Sequence, residues 1–206
     1  MRFVTVIDTG VGNLFSLCSA IRTIGWEPKV CSSAVNFFPS QKVILPGVGS
    51  YGAAISNLEG TGLKELLIDP DFLDSRQILG ICLGFQLLFN GSEESSLSPG
   101  LNFLPGIAKK LEAKIDLKVP HVGFNEASIT KDNNLFSKIP NRADFYFLHS
   151  YAVFASEYAI SYTEYGPYNF VSSISKQNRI FGVQFHPEKS KRDGVRLLQN
   201  FLELQL

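Results

Sequence analysis

The sequence predicts an α/β fold, in which an open, mostly parallel sheet flanked by helices carries an antiparallel extension toward the C-terminus. Short apolar runs alternate with helical patterns from residue 2 to residue 89, which is typical of βαβ units and a parallel sheet. Beyond Pro105, strand-like runs follow one another up to a final helical segment, and this spacing indicates antiparallel strands added to the same sheet. At 206 residues, we expect one domain that spans 1–206.

Hydrophobic periodicity defines the elements of the first half. The first helix carries an apolar stripe at helical spacing, made of Leu14, Leu17, Ile21 and Ile24. We predict strands at 2–8, 27–31, 42–45 and 77–81. We predict helices at 13–24, within 51–68 and at 83–89.

The second half is richer in strand-like runs. These lie at 107–111, 145–148, 159–165, 169–175 and 179–185. A last helix at about 191–204 is predicted to bury an apolar stripe, made of Val195, Leu198, Phe201 and Leu202. Polar segments at 92–99 and 131–134 are expected to be solvated loops.

Composition and charge argue against several classes of function. Nineteen basic and nineteen acidic residues cancel, so we expect no binding to nucleic acid or to an anionic membrane. No apolar run approaches the roughly 20 residues of a membrane-spanning helix, and the N-terminus enters a strand without a signal-like segment. Three cysteines without a C-x-x-C pair indicate a reducing, cytoplasmic location. We expect neither a cofactor nor a metal site.

The most informative segment is 78–89, where an apolar strand pattern meets Cys82 between two glycines. The spacing G-x-C-x-G, followed at once by a helical pattern, is typical of a strand-to-helix elbow that carries a nucleophile. Gly80 and Gly84 permit a turn too tight for side chains, and the N-terminus of the following helix favours the Cys82 thiolate. The alternative is a buried cysteine at an ordinary strand–helix junction.

A histidine near the C-terminus supplies the matching base. A strand-like run ends at His186, and Pro187 biases that residue toward extended backbone. Glu188, two residues further on, would then face the same way as the ring and hold its tautomer. Because a thiolate, a histidine and a carboxylate form a generalised triad, we predict Cys82, His186 and Glu188 as catalytic residues. The alternative for a lone histidine is packing at a strand end.

A glycine-rich loop after the strand at 42–45 completes the predicted site. The backbone N–H groups of Gly47 and Val48, with that of Leu83, are candidates for an oxyanion hole. A flexible 46–49 loop can also hold these groups away from the oxyanion until a partner docks. Similar loops bind phosphates, but the complete nucleotide-binding patterns do not follow a strand here.

These motifs resemble the class I, triad-type glutamine amidotransferases with their flavodoxin-like fold, and more narrowly the glutaminase subunits of imidazole glycerol phosphate synthases from histidine biosynthesis. The matching segments are 7–8, 10–13, 46–49, 80–89, 92–94, 120–123, 147–151, 163–166 and 182–190. The resemblance implies that Cys82 attacks the amide of glutamine, that ammonia leaves, and that water hydrolyses the thioester to glutamate.

The resemblance also implies roles for further residues. Substrate binding falls to Gly49, Gln86, Ser150 and Tyr151. The alternative for Gln86 is a polar residue on the exposed side of the elbow helix. In the family, ammonia travels to a (β/α)8-barrel cyclase subunit in a heterodimer, and segments that border this interface contain Asn13, His121, Phe124 and Lys189. For the His121 and His149 rings we favour packing over a catalytic role.

Two departures from the family pattern leave the partner open. Thr9 stands where that branch has tyrosine, and Phe124 stands where it has tryptophan. One alternative is therefore a paralogous subunit that supplies ammonia for amidino-sugar formation in surface-polysaccharide synthesis. A free-standing cysteine amidohydrolase is a second alternative. A non-catalytic scaffold is a third, but an intact set of Cys82, His186 and Glu188 argues against it.

Overall fold

A nine-stranded mixed sheet runs through the computed structural model, which describes residues 2–115 and 117–206. The strands of the described part are β1 (Phe3–Ile7), β2 (Glu27–Cys31), β3 (Lys42–Leu45), β4 (Gln77–Ile81), β5 (Phe89–Ser92), β6 (Leu104–Lys110), β7 (His121–Ile129), β8 (Ala143–His149), β9 (Tyr151–Ala152), β10 (Ala159–Tyr165), β11 (Tyr168–Lys176) and β12 (Ile180–Val183). The helices are α1 (Phe15–Thr23), α2 (Tyr51–Gly60), α3 (Leu63–Ile68), α4 (Pro70–Asp74), α5 (Leu83–Leu87) and α6 (Lys191–Glu203).

The order of strands in the large sheet is β2-β1-β3-β4-β12-β11-β10-β7-β8. The five strands from β2 to β12 are parallel, and the four from β11 to β8 extend the sheet antiparallel. Strands β5, β6 and β9 form a small separate sheet. The predicted fold class is confirmed. The segment 179–185 was predicted to belong to the antiparallel strands. Its strand β12 is antiparallel to β11, but on its other edge it pairs in parallel with β4, with Val183 opposite Ile81, so this part of the prediction is wrong.

Several predicted elements differ from the observed ones. The elbow helix ends at Leu87, because the chain turns into β5 at Phe89. Strand β7 and the short helix α4 were not predicted; β7 includes Gly123 in a left-handed conformation, with a φ of +133°, and such a glycine weakens a strand pattern. In α6 the buried stripe contains Leu197, whereas Val195 is half-buried.

Helices cover both faces of the parallel strands, because neighbouring residues along a strand point to opposite faces. Val6 packs in a cluster that contains Ile21 of α1 and Phe201 of α6. Ile7 packs in a second cluster that contains Ile55 of α2. The result is a three-layer arrangement in which sites form beyond the carboxyl ends of the strands. Among the described residues, every helix is too short or too polar to cross a bilayer.

Candidate active site

Cys82 lies at the turn between β4 and α5, with a φ of 53° and a ψ of −105°. This left-handed conformation is costly for a residue with a side chain and is characteristic of functional turns. The flanking glycines make the turn possible, since a Cβ added to Gly84 would lie 1.7 Å from the carbonyl oxygen of Leu45. One added to Gly80 would lie 2.7 Å from the carbonyl oxygen of Gly84. At this turn the Cys82 side chain, which is 4% exposed, lies in the wall of a cavity.

His186 follows β12 and is held at both its backbone and its ring. Its backbone N–H donates to the carbonyl of Tyr146, and its carbonyl accepts the hydroxyl of Ser190 at 2.5 Å. The ring Nδ1 lies 2.9 Å from Oε1 of Glu188. His186 is extended as predicted, with a φ of −100°, but Pro187–Lys189 form a 3-10 turn. The turn, rather than a continued strand, brings the carboxylate of Glu188 to the ring.

The charge state of His186 follows from its two anionic neighbours. Burial lowers its pKa, but the Cys82 thiolate, and after it the Glu188 carboxylate, raise the pKa more, to about 10. The environment of the ring therefore favours its protonated form. Its Nε2 is buried and makes no hydrogen bond to the described residues. That nitrogen is free to serve a reacting group.

A cavity of about 270 Å³ opens at Cys82. Its lining includes the four predicted substrate-binding residues, Gly49, Gln86, Ser150 and Tyr151. Sequence reasoning did not assign four others, Glu94, Pro120, Leu148 and His149. The signal for Glu94 was present, because it ends one of the segments that resemble the family. Its carboxylate accepts the backbone N–H of Tyr51 at 3.2 Å while it lines the cavity.

Gln86 is buried in the wall of this cavity, so the alternative, a polar residue on the exposed side of the elbow helix, is wrong. Its Nε2 donates to the carbonyl of Tyr151 at 2.9 Å and to Oε1 of Gln184 at 3.1 Å. The Nε2 of Gln184 in turn lies 3.8 Å from the sulfur of Cys82. Both N–H groups of Gln86 are thus occupied, and its Oε1 is left as an acceptor. Gln184 was missed because its side-chain partners are far away in sequence.

One of the three candidate oxyanion donors is already occupied in this structure. The N–H of Leu83 donates to the carbonyl of Gly47 at 3.2 Å. Val48 lines the cavity at Cys82, whereas Gly47 lies on a smaller cavity behind the loop, next to His186. The orientation of the Gly47 carbonyl is the physical reason, because this oxygen occupies a donor that an oxyanion would need.

The predicted interface residues have different exposures. Asn13, Phe124 and Lys189 are exposed, and Phe124 lies beneath the ammonium group of Lys191, 4.7 Å from its ring centre. His121 is 2% exposed, so its side chain is not available to a docking partner, and packing is its observed environment. Thr9 is fully buried, so this departure from the family pattern lies beneath the surface.

Comparisons with known proteins agree with this geometry. The family model for glutamine amidotransferase class-I matches residues 5–204. The "Imidazole glycerol phosphate synthase subunit HisH 1" of Parasynechococcus marenigrum is 42% identical over 205 residues, which are 98% of each chain. The "Imidazole glycerol phosphate synthase hisHF, chloroplastic" of Arabidopsis thaliana is 38% identical over 98% of this chain and 34% of its own length.

A solved structure described as a glutamine amidotransferase has the same fold, with a TM-score of 0.73 at 13% identity over 96% of this chain and 97% of its own. That likeness concerns the fold alone. The family model and the full-length relatives together show that the chain belongs to the class-I glutamine amidotransferases, in the branch of the imidazole glycerol phosphate synthase subunit HisH.

Proposed function

We propose that this chain hydrolyses glutamine to glutamate and ammonia as the glutaminase subunit of an imidazole glycerol phosphate synthase, and that it passes the ammonia to a cyclase subunit in histidine biosynthesis. One observation carries the proposal. The elbow of Cys82 lines a cavity of about 270 Å³ that fits a small ligand, and His186, paired with the half-buried Glu188, lies next to Cys82 on the other side of the 46–49 loop. The similarity to the HisH relatives over nearly the whole chain supports the pathway.

The chemistry begins with the thiolate of Cys82 attacking the side-chain amide carbon of glutamine. A carbon–sulfur bond forms, and the protonated Nε2 of His186 donates its proton to the amide nitrogen as the carbon–nitrogen bond breaks. Ammonia leaves and a thioester remains. His186, now neutral, takes a proton from water, which attacks the thioester and releases glutamate and the thiolate. Glu188 holds Nδ1–H throughout and stabilises the imidazolium.

The rest of the cavity suits the amino-acid end of glutamine. The carboxylate of Glu94 and the free Oε1 of Gln86 are acceptors, which match the ammonium group of the substrate. Gly49, Ser150 and Tyr151 line the same space. A ligand that lacks the ammonium group would leave these two acceptors without a partner. The cavity therefore favours an α-amino acid over a simple amide.

We also propose that the subunit is nearly silent by itself. The Leu83 N–H is occupied by the Gly47 carbonyl, so the peptide that joins Gly47 and Val48 must turn before the oxyanion is stabilised. One missing oxyanion donor costs about 100- to 1,000-fold in rate. Docking can drive this turn, because a Cβ added to Gly12, next to the predicted interface residue Asn13, would lie 2.5 Å from Cγ2 of Val48. The two loops are therefore in close contact.

The proposed partner is a (β/α)8-barrel cyclase that covers the face with Asn13, Phe124 and Lys189. Ammonia released into water is protonated and loses its nucleophilicity, so an acceptor protein docked over the site is the arrangement that uses it. Phe124 lacks the N–H donor of an indole, which weakens docking to a conventional cyclase. Of the two residues that depart from the family pattern, Thr9 is buried and Phe124 is exposed. Phe124 can therefore contact a partner, and a partner from amidino-sugar formation is kept as the second candidate.

A titration tests the proposal. Glutamate release is measured for the chain alone, with a histidine-pathway cyclase and its ligand analogue, and with a barrel protein encoded beside a sugar-modifying locus. We expect stimulation of about 100-fold or more by the cyclase. Stimulation by the sugar-locus protein alone would overturn the histidine pathway but leave the glutaminase chemistry intact. High activity without any partner would indicate a free-standing hydrolase.

A further inference from the structure

His121 and His149 form a buried pair beside the glutamine cavity. They lie opposite each other in the antiparallel register of β7 and β8, and Nδ1 of His121 is 3.1 Å from Nε2 of His149. The ring of His121 stacks on that of Tyr165, with centroids 3.9 Å apart. His149 lines the cavity, whereas His121 lies one layer behind it. The pair takes no part in the triad chemistry described above.

The hydrogen bonds of the pair can run in one direction only. The carbonyl of Tyr151 accepts, so Nδ1 of His149, at 2.9 Å, must carry the proton and donate. A neutral His149 then has an acceptor at Nε2, and Nδ1 of His121 must donate to it. The remaining Nε2 of His121 is an acceptor that faces the amide nitrogen of Asn125 at 3.4 Å.

The far end of this chain is anchored in the strand. The Nδ2 of Asn125 donates to the carbonyl of Glu164 at 2.9 Å, and its Oδ1 accepts the N–H of Glu126 at 2.8 Å. The orientation of the Asn125 amide is therefore set independently of the histidines. His121 and Asn125 lie on one face of β7, and the exposed Val122 and Phe124 lie on the other.

Both rings must be neutral for these bonds to form. Burial lowers the pKa of His121 to about 4, and burial, with the repulsion that a second protonated ring would add, lowers the pKa of His149 to about 3. A second proton on His149 would place an N–H group against the N–H of His121. The neutral forms are thus the ones that the geometry requires.

The near end of the chain reaches the substrate and the nucleophile. The carbonyl of Tyr151 accepts both Nδ1 of His149 and Nε2 of Gln86, each at 2.9 Å. Gln86 continues to Gln184, which contacts the sulfur of Cys82. Whatever orients the Tyr151 carbonyl therefore also orients the Gln86 amide, whose oxygen is left free in a residue that lines the glutamine cavity.

We infer that His121 and His149 are positioning residues for glutamine: they form a neutral, one-directional hydrogen-bond chain that fixes the Tyr151 carbonyl and, through it, the substrate-binding amide of Gln86. The inference rests on the proposed function, because it assigns a role in that glutamine site. It predicts that the chain acts on substrate affinity rather than on the chemical step.

Two variants of similar size test it in the complex with the cyclase. His149→Asn places an amide nitrogen near the position of Nδ1 and keeps the bond to Tyr151, whereas His149→Gln places its amide nearer to Nε2 and loses that bond. For His149→Gln we expect the KM for glutamine to rise by about five- to tenfold, the effect of one lost buried hydrogen bond. The kcat should change by less than about threefold. For His149→Asn the KM should stay within about threefold of the wild type. Equal KM values in the two variants would overturn the inference, because both remove the ring.

A measurement on the wild-type chain covers the case in which a variant does not fold. The sequence has three histidines, so the ring nitrogens can be assigned by nitrogen-15 NMR. His121 and His149 should both be neutral, with the proton on Nδ1, from pH 6 to pH 8. A proton on Nε2 of either ring, or a charged ring in this range, would overturn the inference. A wild-type complex that hydrolyses no glutamine while both rings show the expected tautomers would contradict the proposed function. That result would leave the hydrogen-bond chain supported.

Discussion

His186 and His149 are both almost fully buried, with exposures of 1% and 6%, yet their surroundings shift their pKa values in opposite directions. Anionic neighbours raise the pKa of His186 against the effect of burial, to about 10. His149 faces a neutral ring and a carbonyl, and burial lowers its pKa to about 3. Depth in the protein thus makes any imidazole neutral, and only a charged partner reverses this. One ring is equipped to move a proton, and the other is equipped to hold a fixed tautomer.

Removing the Cys82 side chain has the largest expected effect, because it takes away a group that makes the pKa of His186 differ from that of His149. Cys82→Ala should reduce glutamine hydrolysis in the complex by more than about 10,000-fold, because no nucleophile remains. The pKa of His186 should fall in the same variant, since the Cys82 charge is the first of the influences that raise it. Glutamate release and nitrogen-15 NMR of the ring measure the two effects.

Controls for this variant come from the same chain. Cys18→Ala removes a buried thiol of α1 that lines neither cavity of the candidate site and should leave hydrolysis unchanged. The Cys82→Ala complex, supplied with free ammonia at alkaline pH, should still support synthesis, because only the generation of ammonia is lost. Substantial glutamine turnover in Cys82→Ala would exclude this residue as the nucleophile.

The second prediction separates the proton carrier from the group that orients it. His186→Ala should lower kcat by about 100- to 10,000-fold, the usual contribution of a general acid–base group. Glu188→Gln should cost clearly less, because the amide oxygen can still accept Nδ1–H while the negative charge is lost. The measurement is kcat for glutamine in the complex. Small and equal losses in both variants would show that these residues are structural.

The parallel half of the fold could be predicted closely from the sequence. Strands β2, β3 and β4 have the predicted ends. For β3 and β4 the reason is that each is buried along its whole length and stops at a turn, so an apolar run is sufficient to define it. Strand β7 lies at the other end of the sheet and alternates between buried and exposed residues. Its pattern is broken by Gly123 and by the neighbouring polar residues Asn125 and Glu126, so it has no clear strand signature.

The three candidate triad residues could be named from the sequence because each lies in a short motif with its own chemistry. The contacts that surround it could not. The bond between Leu83 and Gly47 depends on the orientation of one peptide, which no residue type dictates. Gln184 and His149 acquire their partners across 98 and 28 residues, respectively. Because tautomers and amide orientations follow from such partners, the two histidines could only be predicted to pack.

The smallest predicted effect uses acid pH to compare the two kinds of histidine in one experiment. His121 and His149 have folded-state pKa values of about 4 and about 3, below the value of about 6.5 for an unfolded histidine. Between pH 7 and pH 5 the unfolded chain therefore takes up protons that the folded chain does not, and stability falls. At pH 5 the loss should be about 2 kcal/mol for each of the two rings.

His186 should not contribute to this loss of stability. Its pKa is raised on folding, so its stabilising contribution is fully present below the unfolded value and is lost only as the pH rises toward 10. Urea unfolding at several pH values measures the acid limb. His121→Phe keeps the aromatic stacking but removes one of the two titrating rings, and it should make the limb about half as steep, whatever it does to stability at pH 7. An acid limb with the wild-type slope in this variant would mean that His121 is not held neutral by the fold, and the contrast with His186 would then rest on His149 alone.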